Sequence, residues 1–258
     1  MVREYNVVVV GLGIIGSASL WRLSHSSSNV LGIDAGAPIN LSGSSHGASR
    51  IFRQAYREGE AYLLLLSLSG DLWRELDDTC DRRLIVETGG LFVGPVASGV
   101  VRQSVETARR GNIKHKVLSD TEIARSFPAF QVQEGMEGVY EAGAFTIAAD
   151  DSKCHMLNVA VRQGAELRFG DEISACIEQV FPGLNSTPYA YRKCIYTMSR
   201  DGSFIIDEAA HLPGVFYASA CSGHGFKFAT GLGHLLAKAA SSGVLDDSVA
   251  IFSAKRFI

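Results

Sequence analysis

No apolar run in this sequence approaches the length of a membrane span, for which about 20 residues are needed. A transmembrane helix is therefore not expected. Charge of one sign is not in excess either. The chain holds 24 Lys and Arg against 27 Asp and Glu, a net charge of −3, so nothing points to nucleic acid or to an anionic membrane. Its five cysteines, Cys80, Cys154, Cys176, Cys194 and Cys221, are odd in number and include no CxxC pair. A disulfide framework and a zinc cluster are both disfavoured. A secretory leader is not expected, because a strand-like run begins within six residues of Met1. Asn40-Leu41-Ser42 and Asn185-Ser186-Thr187 match a glycosylation pattern, but without a leader they read as chance. The final Arg256-Phe257-Ile258 is not the Ser-Lys-Leu peroxisomal address, so the expected compartment is the cytosol. Internal repeats are absent.

What is present is ordinary globular composition, 47% hydrophobic and 20% charged over 258 residues. That length suits one large domain or two intimate ones. Two glycine motifs stand out, Val7-Val8-Val9-Val10-Gly11-Leu12-Gly13-Ile14-Ile15-Gly16 and Ser222-Gly223-His224-Gly225-Phe226-Lys227-Phe228. The four valines read as a strand buried on both faces. Gly11, Gly13 and Gly16 then open a helix. In such a motif the first glycine makes the turn, the second admits a pyrophosphate, and the third packs helix on strand. The helix N-terminus favours the phosphates. A second strand, Val30 to Ile33, ends at Asp34, a carboxylate placed for a ribose hydroxyl. Strand, glycines, helix, strand and acid in register predict a nucleotide-binding βαβ unit.

Between the motifs lies a Gly, Ser and Pro-rich loop over 35–50, then a helix with Leu65, Leu68, Leu72 and Leu76 on one face. Leu84 to Val86 and Gly90 to Val93 read as strands around a Gly89-Gly90 turn. Ser119-Asp120-Thr121-Glu122 reads as a capping box whose helix ends at Phe127-Pro128. A helix over about 152–162 stops at Gly164, a strand follows at Glu166 to Phe169, and Val215 to Ala220 leads into the second motif and a helix ending near Gly243.

Four blocks carry a family resemblance: the N-terminal motif, the stretch from Gly43 to Tyr56 (GSSHGASRIFRQAY), Cys194-Ile195-Tyr196-Thr197 with Phe204-Ile205-Ile206-Asp207, and the second glycine motif. With them the chain resembles flavin-dependent amine oxidases of the monomeric sarcosine oxidase and N-methyltryptophan oxidase type, with peroxisomal pipecolate oxidase a close relative. The implied fold is α/β, an FAD-binding Rossmann-like (glutathione-reductase-type) domain with a reduced α+β substrate domain. The expected division is an FAD-binding domain over 1–80 and, discontinuously, 151–258, with the reduced substrate part over 81–150. The resemblance runs to about residue 173 and resumes at about 176. There the family carries on the order of a hundred or more additional residues, enough for a structural layer. In the family that stretch includes a lysine linked to oxygen activation, and no residue of this sequence inherits its role.

The resemblance implies FAD attached covalently through Cys194; Arg192 and Lys193 precede it, and neighbouring cations favour a thiolate. It places Ser45, His46 and Arg50 at the cofactor, and Gly223, Gly225 and Phe226 beside the flavin pyrimidine. Arg53 and Lys227 would hold the substrate carboxylate, with Tyr196 lining the pocket. Arg50 and Arg53, three apart, read as sharing one side of a turn or helix, and His224 as shaping a turn. A guanidinium suits a carboxylate because its donor fork binds it bidentately. The implied partners are a small amino acid and molecular oxygen. The implied reaction oxidises a secondary amino acid to an imine and yields hydrogen peroxide. Two other readings stay open: a shortened FAD-binding relative with little turnover, and a nicotinamide enzyme sharing only the βαβ unit.

Overall fold

A computed structural model describes residues 4–27, 29–38, 43–170, 198–220 and 222–257. Cys176, Cys194, Tyr196 and Cys221 lie outside the described residues. The N-terminal unit forms as expected, with β1 (Val7–Val10), α1 (Ile14–Ser26) and β2 (Val30–Asp34). After it come β3 (Ser49–Phe52), α2 (Leu63–Asp78), β4 (Ile85–Val86), β5 (Gly90–Pro95) and α3 (Val100–Arg110). On α2 the expected face is buried at Leu65, Leu72 and Leu76, with Leu68 partly covered. Next are β6 (Lys116–Ser119) and α4 (Asp120–Ser126). Ser119 and Glu122 make the reciprocal capping-box bonds, and the helix ends at Phe127. The chain continues with β7 (Met136–Glu141), β8 (Phe145–Ala148), α5 (Ala149–Arg162), β9 (Glu166–Phe169), β10 (Ile205–Glu208), β11 (Phe216–Ser219) and α6 (Ala229–Ser242). Helix α5 starts three residues earlier than its periodicity indicated, with Asp150 and Asp151 in its first turn, where acids favour the positive helix end.

The nucleotide sheet is parallel, in the order β1-β2-β9, with Val10 opposite Ile33 and Asp34 opposite Phe169. This order corrects one expectation. The valine run is only partly buried, and Val10 is 56% exposed. Strand β1 has a partner on one side only among the described residues, so part of its apolar run stays uncovered. The Gly89-Gly90 hairpin is corrected too. Both strands form, but β4 pairs with β8 and β5 pairs with β7. The chain steps from one sheet to the next there, held by the Gly89 N–H donating to the Ala144 carbonyl at 3.0 Å.

One core gathers Trp21, Trp73, Phe145, Phe204, Phe228 and Phe252 from both ends of the chain. A smaller one under β5, α3 and β7 contains Val101, Val105 and Val139. Helices α1 and α6 cross closely because α6 has Gly233 at the crossing. A Cβ there would sit 2.6 Å from the Ala18 Cβ, well inside contact distance.

Candidate functional site

The first glycine corner is built from backbone amides and side-chain acceptors. Gly11 takes φ +88, and its N–H donates to the Ile33 carbonyl at 2.8 Å, one step beyond the β1–β2 ladder. A Cβ on Gly16 would overlap the Gly11 carbonyl oxygen, so only glycine lets α1 start this close to the turn. Asp34 accepts the Leu12 N–H at 2.6 Å and the Gly36 N–H at 2.8 Å. It therefore holds the glycine loop itself. Each carboxylate oxygen has a second lone pair, so this is compatible with a ribose contact. Ser45 reaches in from the following loop, where its Oγ accepts the Ile14 N–H at 3.0 Å.

That loop is tied down on three sides. The His46 ring Nδ1 donates to the Gly43 carbonyl. The Gly47 N–H donates to Asp150 at 3.1 Å. The Arg50 guanidinium donates to the carbonyls of Ser49 (2.8 Å) and His46 (2.6 Å) and lies over the Phe226 ring at 5.4 Å. Arg50 thus joins the loop to the second glycine motif. Arg50 and Arg53 do not share a side, contrary to expectation. Arg50 lies in β3 and Arg53 just past its end, and side chains alternate across a strand. The Arg53 guanidinium instead donates to the Ala55 carbonyl at 2.6 Å and lies over Phe92 (4.7 Å) and Tyr56 (5.5 Å).

At the second corner Ser222 and Gly223 both have positive φ, and a Cβ on Gly225 would overlap the Ala220 carbonyl oxygen. Phe226 stacks on Trp73 at 5.9 Å, and the Trp73 indole N–H donates to the Lys227 carbonyl at 2.9 Å. The Lys227 ammonium donates to the His224 carbonyl at 2.8 Å and sits 4.7 Å from the centre of the Tyr56 ring. Arg53 and Lys227 therefore meet over one ring. Neither forms an ion pair among the described residues. Burial, and then the Arg53 charge, pull the Lys227 ammonium down to about 7; burial lowers Arg53 as well. His224 does more than shape a turn. Its Nε2–H donates to the Gly202 carbonyl at 3.1 Å, and its ring stacks on Phe204 at 5.0 Å. Its Nδ1 and the Tyr56 hydroxyl are buried without a hydrogen-bond partner among the described residues.

The fold brings Ser45, His46, Arg50, Arg53, Phe226 and Lys227 into one connected region, linked through Ser45 to Gly11, Gly13, Gly16 and Asp34. Cys194 and Tyr196 fall outside the described residues. The sequence singles out neither Glu141 nor Tyr56, whose ring lies beneath both cations. Glu141 is 3% exposed and accepts the Gln54 and Ala55 N–H groups at 3.0 and 2.8 Å, fixing the turn that aims Arg53. Burial raises its carboxyl above the usual range against the pull of those amides and of Arg53. An acid at the end of an alternating strand has no sequence signal for this role. No three His, Cys, Asp or Glu side chains group as metal ligands among the described residues, and none of their helices is long and apolar enough to cross a membrane.

A monomeric sarcosine oxidase from Streptomyces avermitilis is 36% identical over 174 residues, covering 67% of this chain and 45% of that protein. An N-methyl-L-tryptophan oxidase from Yersinia pestis is 28% identical over 172 residues, covering 67% and 46%. The chain thus spans less than half the length of these two relatives. A monomeric sarcosine oxidase from a Bacillus species aligns nearly end to end, 99% of this chain with 97% of that protein, at 23% identity. Its 378 aligned positions exceed the 258 residues here by 120, so at least that many have no counterpart in this chain. Among solved structures, NikD, an unusual amino acid oxidase essential for nikkomycin biosynthesis, superposes with a TM-score of 0.56 at 29% identity over 64% of this chain and 43% of its own. L-proline dehydrogenase from P. horikoshii shares the fold over 100% of this chain and 98% of its own, with a TM-score of 0.76 at 14% identity. A family model described as FAD dependent oxidoreductase matches residues 6–179 and 171–239, two segments that meet where the resemblance breaks. With both glycine corners inside those segments, and no nicotinamide family needed to account for either, the chain belongs to the FAD-dependent oxidoreductase family.

Proposed function

We propose that this chain binds FAD across its two glycine corners and oxidises a secondary amino acid, such as an N-methyl or cyclic amino acid, whose carboxylate is held by Arg53 and Lys227. The observation that carries the reading is the pair of cations over the Tyr56 ring, with no carboxylate paired to either among the described residues. Two partly buried like charges repel, and an anionic ligand relieves that repulsion. The residues present fit the cofactor. At Gly13, where the backbone must approach a pyrophosphate, a Cβ would meet only the Ser45 Oγ at 3.4 Å among the described residues, so the approach is otherwise open. Gly11, Gly13, Gly16 and Asp34 would hold the dinucleotide end, and Ser45, His46, Arg50, Gly223, Gly225 and Phe226 the flavin end. When bound, FAD supplies the two-electron acceptor that converts the amine to an imine, with oxygen then reduced to hydrogen peroxide. Arg53 and Lys227 orient the substrate by its carboxylate. Protonated Lys227 supplies a donor and a charge, and no side chain need act as a strong base if the amine binds neutral. Covalent attachment through Cys194 and a pocket wall at Tyr196 rest on the resemblance.

One observation favours a second reading, an FAD-binding relative with little turnover: at least 120 positions of a full-length relative are missing here. The visible spectrum of the purified protein tests FAD, and bleaching during anaerobic titration with sarcosine, pipecolate or N-methyltryptophan separates the two readings. After acid denaturation, yellow colour in the pellet is expected, and its release in Cys194→Ala. Arg53→Met or Lys227→Met should each weaken a carboxylate ligand by about 2–5 kcal/mol, the scale for removing one partner of a desolvated charge pair. A neutral amine should lose far less. Equal losses for both ligands would contradict the carboxylate assignment.

A further inference from the structure

Tyr56 is 1% exposed, yet it is the residue over which both candidate ligand-binding cations converge. Five side chains alternate in a ladder. Phe92 on β5 lies under the Arg53 guanidinium at 4.7 Å; Arg53 lies over Tyr56 at 5.5 Å. Lys227 lies over the same Tyr56 ring at 4.7 Å and over Phe228 at 5.2 Å. Each distance is within the roughly 6 Å at which a ring face attracts a cation. The ladder joins residues from β5, from the turn after β3 and from the second glycine motif.

We propose that the Tyr56 ring is the platform of the anion site, the middle rung that holds Arg53 and Lys227 side by side in the absence of a ligand. The proposal rests on the carboxylate-binding reading for its ligand and on the ladder alone for its geometry. A platform is needed because the two cations repel. Glu58 attracts both from a distance, Glu141 also acts on Arg53, and Arg57 opposes it. None of these acids forms an ion pair with either cation among the described residues. The negative faces of the rings supply nearby compensation without occupying the space a carboxylate would take. The ring does this, not the hydroxyl. The Tyr56 O–H is buried with no partner among the described residues, and an unsatisfied buried donor contributes no favourable bond. Burial holds the phenol far above its ordinary ionisation range, so it stays neutral beside both cations. Tyr56 also meets Tyr62, His224 and Phe228 at ring distances of 5.4, 5.8 and 5.6 Å, which fixes its plane.

The test compares Tyr56→Phe, which keeps the ring, with Tyr56→Leu, which removes it. Two readouts are taken on the full chain: the titration of Lys227 Nζ by NMR in lysine-labelled protein without ligand, and the affinities of acetate and of neutral acetamide. In Tyr56→Phe the Lys227 midpoint and acetate affinity should match the wild type within about twofold, with thermal stability retained. In Tyr56→Leu the Lys227 midpoint should fall, and acetate should bind about fivefold to thirtyfold more weakly, the range for losing cation–ring contacts in a partly desolvated site. Acetamide should change little. Phe92→Leu, at the outer rung, should weaken acetate while leaving the Lys227 midpoint in place, and it serves if Tyr56→Leu does not fold. A Lys227 titration unchanged in Tyr56→Leu, or an acetate loss in Tyr56→Phe as large as in Tyr56→Leu, would overturn the platform. Wild-type protein that binds acetate no better than acetamide would instead count against the carboxylate reading, which the ligand-free titration does not assume.

Discussion

The two strand–glycine–helix corners share one backbone constraint and differ in what is attached to it. In each, a glycine sits five residues after a carbonyl that its Cβ would overlap, Gly16 against Gly11 and Gly225 against Ala220. In each, the turn uses positive φ, at Gly11 and at Ser222 and Gly223. The first corner is then dressed with acceptors. Asp34 takes the Leu12 and Gly36 amides, and Ser45 takes that of Ile14. The second is dressed with rings and cations: Phe226 on Trp73, Lys227 on Tyr56, and Arg50 reaching over Phe226. In the proposed function the two corners would serve two ends of one ligand. The chemistry is set by which distant side chains the fold delivers to each turn.

Substitutions at the shared feature should have the largest effect. Gly16→Ala and Gly225→Ala each force a Cβ into a carbonyl oxygen, so each should cost at or above the ~1–3 kcal/mol of overpacking. Lower melting temperature and loss of bound FAD would both be seen; if either variant melts with the wild type, the corners are looser than described. Breaking the first corner alone comes next. Asp34→Ala removes the acceptor of two amides, a loss of about 1.5–3 kcal/mol if the carboxylate is charged, read as weaker FAD binding at unchanged acetate affinity. A parallel fall in acetate affinity would show that the corners are not independent.

A pH series should then separate them without mutation. Burial and the Arg53 charge hold the folded Lys227 ammonium down at about 7, well below the ordinary lysine range. Acetate needs the charged form, so its affinity should be highest below about 7. It should fall as pH rises through that value, by at most about 1.4 kcal/mol per unit, until the acetate-bound form also deprotonates. Stability should move the other way. Between about 7 and the unfolded lysine value, the unfolded chain holds a proton that the folded chain lacks, so this group makes stability rise with pH. Asp34→Ala should leave the acetate profile in place, and Lys227→Met should abolish it. The smallest effect is expected for Ser45→Ala, which removes the acceptor of the Ile14 amide and should cost about 0.5–2 kcal/mol of helix-start stability. Acetate binding should be untouched.

Much of the first corner was legible in the sequence because its rules are local. The valine run, the three glycines and Asp34 lie within one βαβ stretch, and each has a stereochemical reason for its place. The capping box at Ser119 and the strand Glu166–Phe169 were legible for the same reason. The Gly89-Gly90 hairpin was not. Both flanking strands had a better partner in the β7–β8 stretch, and pairing is a tertiary choice. Glu141 was missed because its burial depends on the turn at Gln54 and Ala55, far away in the chain. Arg50 and Arg53 were placed on one side by a helical spacing that a strand does not share.

The sequence by itself determined the backbone moves: where a strand must stop, where only glycine fits, and where a helix begins and is capped. These follow from φ, from the missing Cβ and from hydrogen bonds between near neighbours. Only the tertiary structure decided that Arg53 and Lys227 meet over one buried tyrosine, and that Val10 lies open on a strand that, among the described residues, has a partner on one side. Charge repulsion and ring attraction act through space at a few ångströms. They depend on which segments the core brings together, and no spacing along the chain encodes that.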